Sequence, residues 1–370
     1  MVAAPPRLCY PGCGLDSVDT TEPSAKRRSL RLVIDPNAKT APAGSAAAQP
    51  EADATARKPS NRIAMWDRLR IVAWLDVVGF HVLGYHPLLG VGLPTSLLIA
   101  LALCAHRPNV EPFLPFLRTR MQRLIMPWLL WATVNSVFAI LSNVHHGQTL
   151  STALASHPPL SFLHFMWFFP FTVVAGAVVY WLDRLTRGVP LKLFLSVCAA
   201  IACVLLVSDL LPLAPPANEA EPPFEQWRFA LPAMFLGLVI GRLLAVHPRD
   251  RKPQIWGYAT LVAIAAAALA ASQVSFHGED PSDPFRYALV CSLLGLGVLL
   301  PGTYDRFTKL IEPLLLGGYA LHSLVHHQVT DRLMRLMHLP TTRKAGVLAT
   351  YALTLALVAG LRRTPMRRFL

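Results

Sequence analysis

Residues 68–81 read RLRIVAWLDVVGFH, an apolar run with Arg70 near one end, His81 at the other and Asp76 between them. Titratable groups are expensive inside a membrane, so they are expected to face a bundle interior or an aqueous cavity. Arg70 and His81 are eleven residues apart. In a helix that spacing returns to within about 20° of the same face, ~16 Å further along the axis. Position alone leaves two readings of each residue. Arg70 is either a membrane-surface anchor or an anion ligand, and His81 either a hydrogen-bonded structural group or a catalytic base or proton carrier. Asp76 points ~140° away from His81, a poor angle for orienting that ring, so it is expected to face another helix.

A second group lies in FLRTRMQRLIMPWLLW, residues 116–131. Arg120 and Arg123 are three apart and share a helical face, with Arg118 just before them. Several guanidinium groups at a membrane mouth suit multidentate recognition of phosphate; positive-inside anchoring is the competing reading. Further along, HFMWFF (164–169) supplies His164 and Trp167, and GGYALHSLVHH (317–327) supplies Tyr319 and His326. With Asp76, these four are expected to line a cavity. His145, His146 and His157 fall in a loop without metal-ligand spacing, and no metal site is expected. The cysteines within apolar segments read as small hydrophobes.

These residues need long apolar elements to hold them. The chain has 370 residues, 54% apolar and only 15% charged, a balance unlike most soluble domains. Apolar stretches of membrane-spanning length recur from residue 70 to residue 361. The expected fold is therefore all-α: a polytopic helical bundle of about ten spans, at 69–86, 88–105, 124–143, 162–182, 191–211, 229–246, 255–275, 287–303, 312–329 and 345–361. Residues 1–64 are rich in Pro, Ala and Ser and carry no signal-peptide pattern; they read as a disordered cytoplasmic tail, or as sequence ahead of a start at Met65. Residues 65–370 form the membrane domain.

The net charge of +13 would suggest nucleic acid in a soluble protein. Here it is unevenly placed. The segments 106–123, 183–192, 247–254, 304–311 and 362–370 hold sixteen Lys and Arg, whereas 144–161, 212–228 and 277–286 hold only Arg228 and Arg286. That bias puts both termini in the cytoplasm, and nucleic acid is not an expected partner. One loop disagrees: 330–344 is assigned to the outside yet carries Arg332, Arg335, Arg343 and Lys344. An amphipathic helix at the interface, DRLMRLMHL, would accommodate them.

At this point the sequence resembles the acyltransferase-3 family of bacterial integral-membrane O-acyltransferases. Asp67, Leu69, Arg70 and His81 match the D-x-L-R…H register of that family's first span. Phe116, Leu117, Arg118, Arg120, Arg123, Leu124, Pro127 and Trp131 match its third, with Thr119 in place of one Arg. HFMWFF and GGYALHSLVHH are similar to later motifs, although Gly318 stands where the family has Ser. After GVGL (90–93) the chain runs PTSLLIA instead of the family's F-F-x-x-S-G-F.

The resemblance implies an acyl-CoA co-substrate with no bound cofactor, and transfer of an acyl group, most simply acetyl, to a hydroxyl of a carbohydrate or glycolipid acceptor. It implies a bacterial inner membrane, His81 as general base, and Arg70, Arg118, Arg120 and Arg123 as donor-binding residues. The rival reading is a proton-coupled transporter or flippase using mid-membrane His and Asp. Such proteins commonly show internal repeats, which are not evident here, and have no need of an arginine cluster.

Overall fold

Apolar stretches in a bilayer have no water to satisfy their backbone, so they close into helices. The computed structural model describes residues 63–83, 88–106, 112–155, 166–208, 224–247, 252–272, 282–300, 302, 305–338 and 344–370. Among these, every regular element is helical. In chain order they are α1 (Ala64–Leu83), α2 (Gly92–His106), α3 (Phe113–His145), α4 (Leu150–Ala155), α5 (Phe168–Leu185), α6 (Leu191–Ser208) and α7 (Phe224–Val246). Then follow α8 (Pro253–Ser272), α9 (Asp283–Leu299), α10 (Arg306–Ile311), α11 (Leu315–Val325), α12 (Asp331–Leu336) and α13 (Lys344–Leu361). The expected N-terminal tail lies outside the described residues.

Helix occurs in each of the ten expected segments, but among the described residues six helices are long and apolar enough to cross a membrane: α3, α5, α6, α7, α8 and α13. The shortfalls have separate causes. Four charged residues, Asp67, Arg68, Arg70 and Asp76, dilute the apolar run of α1, and α2 has only 15 residues. The expected ninth span, 312–329, is irregular: a 3₁₀ turn at Glu312–Leu314, α11 and a π-turn at His326–Thr330, with α10 before it and α12 after it. Pro313 inside that 3₁₀ turn cannot donate a backbone hydrogen bond, which favours such a break.

α3 contains a π-turn of its own at Met121–Ile125. Pro127 has no N–H for the carbonyl of Arg123 four residues back, and the turn ahead of it widens, with Met126 N–H bonding the Met121 carbonyl. The regular three-residue register between Arg120 and Arg123 is lost across this turn.

α2 is the central strut. α7 crosses it closely because Gly237 and Gly241, spaced four apart, face it; a Cβ at these positions would lie 2.8 Å from Leu101 and 2.6 Å from Ala105. Small residues in this pattern let membrane helices approach. Leu97, Leu98, Leu101 and Ala102 of α2 are wholly buried. α6 and α8, by contrast, expose large apolar side chains such as Leu193, Val204, Leu261 and Leu269, as helices facing lipid would. α1 packs against α2, α11 and α13, while the Arg118–Arg123 stretch packs on α5.

Candidate active site

α1 and α11 approach where Trp74 seats against Gly318: a Cβ on Gly318 would lie 2.7 Å from the Trp74 ring. This accounts for glycine at a position where serine would be expected. Trp74 also packs on Tyr351 of α13, ring centroids 4.3 Å apart. Beyond this contact the two helices present His81 and His322 to one another, with ring centroids 4.9 Å apart. His81 is exposed to a cavity and His322 is buried behind it. The His322 Nδ1 lies 2.8 Å from the Tyr319 carbonyl oxygen, which can only accept, so Nδ1–H donates. That fixes the tautomer and leaves a lone pair on Nε2, a buried atom without a hydrogen-bond partner.

The cavity has a volume of about 640 Å³. Its walls come from the C-terminal half of α3, the end of α1 and the stretch from Tyr319 to Arg335. Asn135, Ser136, Ser142 and Asn143 supply neutral hydrogen-bonding groups, and His145, His146, His327, Arg332 and Arg335 line the same space. This volume and polarity suit a small hydroxylated ligand.

Asp76 does something other than line the cavity. Its carboxylate is fully buried; Oδ1 accepts from the Leu88 amide at 2.8 Å and Oδ2 from the Gly92 amide at 2.8 Å. Those amides belong to the turn before α2 and to its first residue, where backbone donors lack helical partners. Asp76 therefore ties α2 to α1 and fixes the turn that follows His81. A Cβ on Gly92 would collide with the Ala73 carbonyl and lie 2.9 Å from the Asp76 Cβ, so only glycine permits this approach. Leu89 and Gly90 in the same turn have positive φ, 62° and 71°. The GVGL sequence is thus a backbone device.

At the other end of α1 charges meet opposite charges. Arg68 bonds Asp305 at 2.9 Å; Arg70 lies 3.4 Å from Glu312 and 3.7 Å from Asp67. Arg120 is half-buried, its guanidinium stacked on Phe116 at 4.7 Å and packed against Gly176, whereas Arg118 and Arg123 are exposed. By helical rise Arg120 lies ~18 Å from Ala132, where α3 enters the cavity wall.

Several residues singled out from sequence come together and several do not. Tyr319 lines the cavity beside His81. Trp167 is instead a buried core residue, edge-on to Phe171, with its neighbour Met166 reaching the cavity. His164 lies outside the described residues. His326 is buried one turn beyond His322, and its neighbour His327 faces the cavity. The ligand atoms of His326, His327 and Asp331 gather within 4.8 Å of one another. Arg332 and Arg335 stand on the adjoining wall and disfavour a metal cation there; Asp331 lies 3.7 Å from the His326 Nδ1 and 3.8 Å from the His327 Nδ1. His322 was not singled out from sequence. The spacing of Tyr319, His322 and His326 by three and four residues, one face of a helix, was the available signal.

Fold and site together define a multi-pass helical membrane protein with paired histidines opening on a polar cavity. Residues 63–363 match the acyltransferase-3 family, described as an acyltransferase domain, and the chain belongs to that family. It is a membrane acyltransferase. No curated protein and no solved structure matches it.

Proposed function

We propose that the protein transfers an acyl group, acetyl in the simplest case, from acyl-CoA to a hydroxyl of a cell-surface sugar or glycan. The observation that carries this reading is the imidazole pair, His81 open to the cavity and His322 held behind it in one tautomer. In this reading the membrane is a bacterial inner membrane with both termini inside. The polyanionic donor docks at the arginine end, using Arg118, Arg120 and Arg123 with Arg70 at its edge. Its thioester arm reaches between α1 and α3 to the histidine end, where the acceptor enters from outside.

His81 acts as general base. As the acceptor oxygen bonds to the thioester carbonyl carbon, the hydroxyl proton passes to the His81 ring. The tetrahedral intermediate then collapses, the C–S bond breaks, and the imidazolium returns the proton to the departing sulfur. The products are an ester and free CoA thiol. His322 is a positioning residue: a turn of the His81 ring from its present tilted contact brings the second ring N–H to the His322 Nε2 lone pair, and that hydrogen bond selects the tautomer that leaves a basic nitrogen toward the acceptor. The test uses membranes carrying their native glycans and acyl-CoA labelled in the acyl group. Wild type should move label into glycan while His81→Ala, purified as a folded protein, should not. Label transfer by the folded variant at the wild-type rate would overturn the general-base role.

A further inference from the structure

Arg332 and Arg335 break the charge bias that places every other short basic loop on one side of the membrane. Their location gives a reason. Both line the cavity that contains His81 and His322. On α12 they stand three residues apart and share a face, while Leu333 is exposed about 100° around the helix from Arg332. Among the described residues Arg332 donates to the Gln328 side-chain oxygen, at 3.1 Å, and makes no ion pair. Arg335 makes no ion pair among the described residues. The one carboxylate on the wall, Asp331, already faces His326 at 3.7 Å and His327 at 3.8 Å. Among the described residues the cavity wall therefore carries two permanent cations against a single carboxylate. A neutral sugar has no use for that excess.

We infer that the acceptor is anionic: a glycan bearing a carboxylate or phosphate, held by Arg332 and Arg335 so that a neighbouring hydroxyl meets His81. This rests on the acyl-transfer reading and specifies its acceptor. Guanidinium groups bind both kinds of oxyanion through paired hydrogen bonds, so the two sources must be separated by experiment.

The test measures binding, without acyl-CoA, to the full-length protein in phosphatidylcholine nanodiscs. One arm compares a galacturonate trisaccharide with its neutral galactose counterpart, and the other a hexose phosphate with the free hexose. In at least one arm the anionic member should bind about tenfold tighter or more, the effect of one charge-assisted hydrogen bond. Arg332→Gln/Arg335→Gln should abolish that preference, and Arg335→Lys should keep part of it. Both arginines are exposed, so the variants are expected to fold. Equal binding within both pairs overturns the inference. So does a preference that survives the double substitution, because the anion would then be held by other groups. An anionic preference without label transfer from acyl-CoA would instead remove the acyl-transfer reading and leave the anion site standing.

Discussion

At one end of α1, Arg68 and Arg70 meet Asp305 and Glu312 at 2.9 and 3.4 Å; at the other, His81 faces His322 across the floor of an open polar cavity. The first arrangement satisfies its charges with one another and joins α1 to the segment around α10. The second leaves groups directed at space that a ligand can fill, including a buried imidazole nitrogen with no hydrogen-bond partner among the described residues. Asp76 lies between them and belongs with the first kind, because both its oxygens are consumed by backbone amides. Titratable residues on one helix thus divide into those that build the bundle and those that remain available for chemistry.

The sharpest way to break this division is at the histidines. His81→Ala should lower kcat by about 10²- to 10⁴-fold, the usual contribution of a positioned base. His322→Ala should lose less, since it acts through His81, and His322→Gln should recover part of that loss because its amide oxygen can accept the same N–H. The pH dependence of kcat should shift in His322→Ala. If His322→Ala abolished transfer while His81→Ala retained it, the two roles would be exchanged.

Asp76→Ala should act on stability first. It orphans the Leu88 and Gly92 amides, and leaving two donors unsatisfied costs about 2–5 kcal/mol. Thermal unfolding in detergent would report this as a lower midpoint, with activity per folded molecule largely retained. Asp76→Asn keeps one accepting oxygen and should lose less. A variant with the wild-type midpoint but no activity would move Asp76 to the other side of the comparison.

The difference between the two kinds of residue was only partly legible in the sequence. Composition and apolar length dictated the helical membrane fold, because a bilayer allows few other ways to satisfy a backbone. Helical periodicity put Arg70 and His81 on one face, and it put Asp76 off that face. What Asp76 does could not be read there, since its partners are backbone amides twelve and sixteen residues away and amides carry no sequence identity. The same limit hid the role of Gly318, which depends on Trp74 approaching from another helix. Periodicity also assumed an unbroken helix across Arg120 and Arg123, where Pro127 opens a π-turn. The ion pairs of Arg70 required knowing that α1 meets the residues around Glu312. His322 is the instructive omission: the i, i+3, i+7 spacing through Tyr319 and His326 was visible, but the choice between two turns of one helix needed the neighbouring helix.

At the arginine end the comparison predicts unequal effects among residues of one type. Arg120→Ala and Arg123→Ala should each raise KM for acyl-CoA by about tenfold or more if they bind its phosphates, as charge-assisted hydrogen bonds do. Arg70→Gln should raise it less, because Glu312 and Asp67 already share its charge. All three effects should shrink at high salt. Equal effects at Arg70 and Arg120 would mean that the Arg70 pair opens on donor binding.

The smallest effect concerns Asp305, which caps α10 by accepting the Thr308 amide at 2.7 Å. Thr308 first, and Arg68 after it, hold its carboxyl below the usual carboxylate range. A depressed folded value means that its stabilisation is fully present above the unfolded pKa and disappears as pH falls through the folded one. Hydrogen exchange at Thr308 should therefore stay slow from neutral pH into the mildly acidic range and accelerate only below the ordinary carboxylate pKa. Asp305→Asn should open the same amide partially at neutral pH, since a neutral amide oxygen still accepts. Added salt should weaken the Arg68 contact and leave the cap in place, because a short hydrogen bond is screened far less than an exposed ion pair. Accelerated exchange in salt alone would instead make the ion pair, rather than the cap, the group that holds this end of the bundle together.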